Sequence, residues 1–123
     1  MNRTAIGRRI EEEAVALLEG CGYRIVERNF RTRRAEIDVI AWKDDTLCFV
    51  EVRSRTGRSH GGAVESITRT KLGRLRHGAL AYLRRFRGNP PPCRFDLLAV
   101  DLAPDDARIL EWEIVENILV ATL

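Results

Sequence analysis

The sequence has few of the residues that hold small proteins together through disulfides or metal ions. Its three cysteines, Cys21, Cys48 and Cys93, are an odd number at wide spacings, which predicts neither a disulfide framework nor a zinc site. We expect buried free thiols instead. The two histidines, His60 and His77, lie far apart in sequence, so a histidine-based nuclease centre or a zinc centre is a weak candidate.

Long apolar segments are also missing. No apolar run approaches the roughly 20 residues of a membrane span. The opening residues, MNRTAIGRRIEEE, lack the apolar centre of a secretory signal, which predicts a cytoplasmic protein without a membrane partner. At 123 residues the chain has the size of one domain, and we interpret residues 1–123 as a single domain.

Acidic residues are scarce in the middle of the chain. Residues 53–94 carry eleven basic side chains against Glu65 alone, whereas residues 95–123 carry seven acids against Arg108. So basic a stretch is typical of proteins that bind polyanions, and we predict nucleic acid, with DNA preferred, as the partner. The alternative is a charged helix exterior with no partner. Lysine is rare as well, since 19 of the 21 basic residues are arginine.

The spacing of apolar residues predicts two helices and five strands. Their order, αβββαββ, favours an α/β fold with a mixed sheet flanked by helices, in which the second helix connects two parallel strands. Residues 56–62 form a predicted loop, and residues 117–123 fit a helix or a strand equally well. The predicted helices cover residues 4–20 and a segment from the N-cap Thr68 to just before Gly88, and the predicted strands cover residues 23–30, 36–42, 47–53, 94–102 and 109–115.

Two acids are predicted to face each other across a hairpin. If Asp44 and Asp45 form a two-residue turn, paired residues on the flanking strands have numbers that sum to 89, and Asp38 faces Glu51. Both acids lie in apolar strands, IDVIAW and FVEVR, where a charge is rarely left without a partner. Opposed like charges are destabilising, so the pair needs a counter-charge.

A divalent cation would satisfy this pair. Mg²⁺, or Mn²⁺ in its place, prefers oxygen ligands, takes one or two protein carboxylates and can activate a water molecule against a phosphodiester. Alternating side chains place Glu36 and Arg53, the next opposed pair, on the same face as the two acids. The alternative is therefore that Arg53 and nearby arginines neutralise the acids without a metal. A three-residue turn would shift the register by one and separate them.

Four segments of the chain together resemble a known family. The segments GRRIEEEAVALLEGCGYRIVERNFRTRRAEIDVIA, FVEVRSR, TRTKLGRL and CRFDLLAV are similar to those of the uncharacterised bacterial YraN family. The fold of that family is similar to that of Holliday-junction resolvases and other PD-(D/E)XK nucleases. The resemblance covers about residues 7–101. It implies a restriction-endonuclease-like αβββαβ core in which Asp38 and Glu51 match the two metal carboxylates.

The same resemblance implies roles for further residues. Arg53 stands in place of the motif's lysine, Glu11 matches an additional acid, and Lys71 lies on the helix that follows the site. Glu11 can also be a solvated helix acid, and Lys71 a simple phosphate contact. Ala35 replaces the glycine of the family's GEID signature. Because arginine stays protonated, we expect Arg53 to reduce or alter the chemistry and not to abolish it.

Three functions fit these features. We prefer an endonuclease-type phosphodiesterase that uses Mg²⁺ or Mn²⁺ and acts on DNA. A nuclease-like binding module without chemistry is the second, and a structural subunit that docks through its acidic C-terminal third is the last. Dimerisation would follow by analogy with junction resolvases. The predicted catalytic residues are Asp38, Glu51, Arg53, Glu11 and Lys71, and the predicted nucleic-acid contacts are Arg33, Arg34, Arg55, Arg58, Arg69, Lys71 and Arg74.

Overall fold

The structure is a computed structural model that describes residues 3–56 and 67–118. Every predicted helix and strand is present within one or two residues of its expected start. The elements in chain order are α1 (Arg3–Gly20), β1 (Arg24–Arg31), β2 (Glu36–Lys43), β3 (Thr46–Thr56), α2 (Arg69–Leu83), β4 (Cys93–Leu102) and β5 (Ile109–Val115).

The five strands form one mixed sheet in the order β1-β2-β3-β4-β5. Strands β3 and β4 are parallel and are connected through α2, while the other neighbours are antiparallel. This confirms the predicted α/β class and the predicted parallel crossover. No helix within residues 3–56 and 67–118 is long and apolar enough to cross a membrane. Most of the predicted loop 56–62 and the segment 119–123 lie outside the described residues.

Each face of the sheet carries its own apolar core and its own helix. On β3, Leu47 and Phe49 pack in the core beneath α2, whereas Cys48 and Val50 pack in the core beneath α1. This alternation follows from the two-residue repeat of a strand, and burial of both faces explains why β3 is apolar over consecutive positions. Strand β3 is therefore the centre of a helix–sheet–helix sandwich.

Helix α2 begins where the sequence predicted and ends earlier. The Thr68 hydroxyl accepts a hydrogen bond from the backbone N–H of Lys71 at 3.1 Å, which confirms the predicted N-cap. The helix ends at Leu83, because the next turns are closed by bonds from residue i to residue i−3, and Gly88 then adopts a φ of +80°. Phe86, which the predicted helical segment up to Gly88 includes, therefore lies beyond the end of the helix.

The cysteines differ in burial. Cys48 is buried, as predicted, but Cys21 is half-buried and Cys93 is exposed. Cys93 is the first residue of β4 and directly follows the proline run, so it lies at the very start of its strand. The expectation of buried thiols is wrong for this residue.

Asp96 is a fully buried acid that the sequence did not single out. Its carboxylate accepts hydrogen bonds from the hydroxyl of Tyr23 at 2.7 Å, from Nε of Arg94 at 3.0 Å and from the backbone N–H of Asn117 at 2.9 Å. Burial and the Asp96 charge raise the pKa of Tyr23, so the phenol stays a donor. Asp96 thus joins the start of β1, the start of β4 and the segment after β5.

Removal of the Asp96 carboxylate should strongly destabilise the fold. In Asp96→Ala the guanidinium of Arg94 and the phenol of Tyr23 lose their acceptor, and we expect a loss of about 3–5 kcal/mol in the free energy of unfolding in urea. Tyr23→Phe removes one hydrogen bond and should cost about 1–2 kcal/mol. Asp45→Ala, in the exposed hairpin turn, is the control. Equal midpoints for Asp96→Ala and this control would contradict the structural role.

Candidate metal and nucleic-acid site

The hairpin register agrees with the sequence prediction. Lys43 pairs with Thr46 and Val39 pairs with Val50, so the numbers of paired residues sum to 89. The turn therefore contains two residues, and its first residue, Asp44, takes a φ of +53°, which aspartate tolerates better than most residues. The prediction of a two-residue turn is confirmed.

The backbone ladder between β2 and β3 ends at Val39 and Val50, one step before the two acids. Beyond that point the backbone N–H of Val52 donates to Oδ2 of Asp38 at 2.8 Å. A side-chain oxygen thus accepts the hydrogen bond in place of a backbone carbonyl. The two strands separate here, and the Asp38 carboxylate fills the gap between them.

Strand β2 does not keep a regular alternation at this level. Ile37 packs in the core beneath α2 and Val39 in the core beneath α1, although residues two apart share a face of a regular strand. The paired residues on β1, Phe30 and Arg28, likewise contact α2 and α1 respectively. The residue between them, Asn29, has a φ of +53°. The regular alternation expected of β2 therefore breaks between Ile37 and Val39, the two neighbours of Asp38.

Asp38 and Glu51 nevertheless meet. Glu51 is 3% exposed on the α2 side of the sheet, and its carboxyl group lies within hydrogen-bonding reach of that of half-buried Asp38. Burial, followed by this hydrogen-bonding contact and the negative charge of Glu51, raises the pKa of Asp38 to about 7, against the opposing effects of the Val52 N–H and the Lys71 charge. Neutral pH therefore lies in the range in which Asp38 exchanges its proton, and a cation bound between the carboxylates would compete with that proton.

A lysine reaches the pair from α2. Nζ of Lys71 lies 3.0 Å from Oε2 of Glu51, and the Thr68 cap fixes the helix turn that carries it. Arg53 lies two residues beyond Glu51 on β3, and its Nε is buried without a hydrogen-bond partner among the described residues. The cation that contacts the buried acid is thus Lys71, whereas the sequence suggested Arg53 as the neutralising group.

The oxygens of the pair suit Mg²⁺ or Mn²⁺. Across residues 3–56 and 67–118, no three side chains of histidine, cysteine, aspartate or glutamate come together as a metal site, so Asp38 and Glu51 stand as a pair. A pair is what Mg²⁺ commonly takes, because it keeps several water ligands and binds substrate phosphate. Glu11 is exposed on α1 and lines the same cavity as Asp38, but it does not join the pair.

Several of the predicted nucleic-acid contacts form a basic groove beside the pair. Arg33 and Arg34, in the turn between β1 and β2, face Arg74 across an open concavity on α2. Arg34 and Arg74 also line a second concavity that reaches Lys71. The groove therefore leads from the β1–β2 turn along α2 to the Glu51 carboxylate.

The other predicted contacts lie elsewhere. Arg69 is exposed at the first position of α2. Arg55 forms an ion pair with Asp101, with Nε and Oδ1 3.4 Å apart, so an acid within the sheet already engages its charge. Arg58 lies outside the described residues. Thr70, Gly73 and His77, which the sequence did not assign to the site, also line the groove. Thr70 lies four residues before Arg74 and His77 three after it, so helical spacing would have identified these two, whereas Gly73 directly precedes Arg74 and gave no such signal.

A family model matches most of the chain. The uncharacterised protein family UPF0102 matches residues 10–100, a range that contains the acid pair, the lysine and most of the basic groove. The chain belongs to the UPF0102 family. Because UPF0102 proteins are YraN-like, this match confirms the resemblance to the YraN family.

Individual members of the family are similar over most of their length. A UPF0102 protein of Herminiimonas arsenicoxydans is 44% identical over 99 residues, covering 80% of this chain and 79% of its own. One of Symbiobacterium thermophilum is 45% identical, covering 81% and 85%. One of Pelotomaculum thermopropionicum is 44% identical, covering 94% and 95%. None of these three names states an activity.

The acid pair predicts a pH-dependent response to metal. Above pH 7 Asp38 is ionised and repels Glu51, so Asp38→Asn, which removes the charge, should stabilise the metal-free protein at pH 8 by about 1–2 kcal/mol and by less at pH 5. Adding Mg²⁺ at pH 8 should raise the melting temperature of the wild type. The rise should shrink at pH 6, where a proton competes for Asp38.

Thermal melts in EDTA and in Mg²⁺ at both pH values measure this effect. Asp45→Asn, in the exposed turn, is the matched control and should respond to Mg²⁺ like the wild type. If Mg²⁺ stabilises Asp38→Asn as much as the wild type at pH 8, the pair does not bind the ion.

Proposed function

We propose that this protein is a cytoplasmic, Mg²⁺- or Mn²⁺-dependent endonuclease-type phosphodiesterase with a restriction-endonuclease-like fold, and that its substrate is DNA. One observation supports the proposal above the others. The carboxylates of Asp38 and Glu51 meet with little exposure where β2 and β3 separate, at the end of a basic groove. A divalent cation between these two acids would offset their repulsion, and the groove supplies a path for a phosphate backbone.

The residues around the pair would have separate roles in phosphodiester hydrolysis. Asp38 and Glu51 would hold the divalent ion, which supplies a water of lowered pKa and neutralises charge on the phosphate. Arg34 and Arg74 would bind the backbone leading to the pair, mostly without reading bases. Arg53, beyond Glu51 on β3, would donate to phosphoryl oxygens as charge develops in the transition state.

Lys71 would replace the lysine of the family motif as the ammonium group next to the acids. A guanidinium stays protonated and cannot exchange a proton, whereas an ammonium can position water and take part in proton transfer. Nζ of Lys71 is 3.0 Å from Glu51, so a lysine is present in the site although β3 carries Arg53. The ammonium therefore reaches the acids from α2 instead of from the strand.

A second candidate function is a nuclease-like module that binds nucleic acid without cleaving it. Arg53 at the position of the motif's lysine favours it, because the motif's proton-exchanging group is then missing from the strand. In that case the basic groove serves binding alone, and the acid pair is a remnant held neutral by Lys71 and a proton.

Cleavage assays with site variants separate the two functions. The wild type should cleave DNA in Mg²⁺ or Mn²⁺, and Asp38→Asn and Glu51→Gln should each lower the rate by at least about 100-fold, since removal of one strong electrostatic contact to a transition state has effects of this size. Lys71→Met should lose activity while Lys71→Arg keeps the charge and only part of the rate. Arg53→Lys should equal or exceed the wild type. Binding without cleavage by every one of these proteins would support the binding module.

The groove predicts a steep salt dependence of DNA binding. With about four phosphate contacts, affinity should fall roughly 100-fold between 50 and 200 mM salt. Arg34→Ala or Arg74→Ala should reduce the slope of log affinity against log salt by about one unit each. Arg84→Ala, an exposed arginine at the other end of α2, is the control and should keep the slope. Affinity that stays flat across this range, or equal slopes in all variants, would refute the groove as the binding surface.

A further inference from the structure

A cavity of about 190 Å³ lies between α1 and the sheet, on the opposite side of the sheet from α2. It exists because α1 presents Gly7, which has no side chain, and Ala14, whose methyl group is small, to this space. One of its walls is Asp38, whose carboxylate also belongs to the acid pair. Because the alternation of β2 breaks at this level, the side chain of Asp38 borders both the cavity and the acid pair.

The size of the cavity restricts what can enter it. Its volume is below the roughly 300–1,000 Å³ of pockets for drug-sized ligands, so it suits a single ring system. Ile10 and Val15 on the helix and Val39 and Val52 on the sheet provide apolar walls. A flat, largely apolar ring between such walls would replace poorly bound water and bury its own faces.

The polar groups of the cavity fit the edge of a nucleobase. The Asn29 amide offers a donor and an acceptor, and the Ser54 hydroxyl offers both as well. Arg28, at the same wall, is held by an ion pair with Glu12, with nitrogen and oxygen 2.9 Å apart. The carboxylates of Glu11 and Asp38 also line the cavity. A base carries donors and acceptors along its edge and none on its faces, which matches a lining that combines polar groups with apolar walls.

We propose that this cavity receives one unpaired nucleobase next to the phosphodiester held by the acid pair. The inference rests on the proposed function for the position of the strand, and it names the substrate class as DNA that carries an unpaired nucleotide at the reacting bond. A paired base is excluded by the size of the cavity, which suits one ring system and not a base pair. Extruding a base from a duplex costs a few kcal/mol, and least when the base is already unpaired.

Gly7 allows the cavity to be filled without harming the fold. A Cβ built at Gly7 meets no atom within 4 Å, and Gly7 shares a helix face with Ile10 and Ala14. Gly7→Leu should therefore place its side chain in the cavity. Gly20→Leu is the matched control, since a Cβ there also meets no atom within 4 Å and Gly20 lies at the far end of the same helix. Leucine favours a helix over glycine, so both variants should melt at or above the wild-type temperature.

The experiment measures binding with Ca²⁺ in place of Mg²⁺, so that it is independent of cleavage. Two DNAs serve as probes: a duplex with one central unpaired 2-aminopurine, and the same duplex with this base paired to thymine. The wild type and Gly20→Leu should bind the unpaired probe about tenfold or more tightly, by the energy saved in not extruding a base, and should change its fluorescence. Gly7→Leu should bind the unpaired probe no better than the paired one and leave its fluorescence unchanged.

The outcomes distinguish this inference from the proposed function. Equal affinity of the wild type for both probes, or a preference that survives in Gly7→Leu, would overturn the base cavity, as would a wild type that binds neither probe. Cleavage of both probes at equal rates in Mg²⁺ would keep the phosphodiesterase and overturn the cavity. A preference in Ca²⁺ that Gly7→Leu abolishes, with no cleavage in Mg²⁺, would keep the cavity and overturn the phosphodiesterase.

Discussion

The meeting of Asp38 and Glu51 is the constraint around which the rest of the site is arranged. Two like charges 4 Å apart near a protein surface repel by about 4 kcal/mol, a large share of the 5–15 kcal/mol that separates a folded domain from its unfolded chain. The ammonium of Lys71 offsets part of this repulsion, and the raised pKa of Asp38 favours its protonated form. A divalent cation between the carboxylates would replace the proton and free the lysine for the substrate.

Four features of the fold hold this pair in place. The two-residue turn sets the register that brings the acids to the same level, and the parallel neighbour β4 buries Glu51 from the other side. The Thr68 cap fixes the first turn of α2 and with it Lys71. The end of the β2–β3 ladder leaves the Val52 N–H for Asp38. Each element thus contributes one fixed group to a small volume.

Much of this arrangement was predictable from the sequence, because it depends on local rules. The turn at Asp44 sets the pairing by counting, and the helix cap at Thr68 follows from residue type. The break in alternation beside Asp38 was not predictable from the residues of β2, and it lies opposite the positive φ of Asn29 on β1. The Asp96 network was not predictable for a similar reason, because two of its partners, Tyr23 and Asn117, come from distant parts of the chain.

The most direct test is a crystal structure of the wild type grown or soaked with Mn²⁺ at pH 8, with data collected to record the anomalous signal of manganese. The account predicts one strong anomalous peak bonded to a carboxylate oxygen of Asp38 and one of Glu51, with Nζ of Lys71 moved away from Glu51. A crystal with no manganese between these carboxylates, and with the lysine still 3.0 Å from Glu51 as it is here, would contradict it.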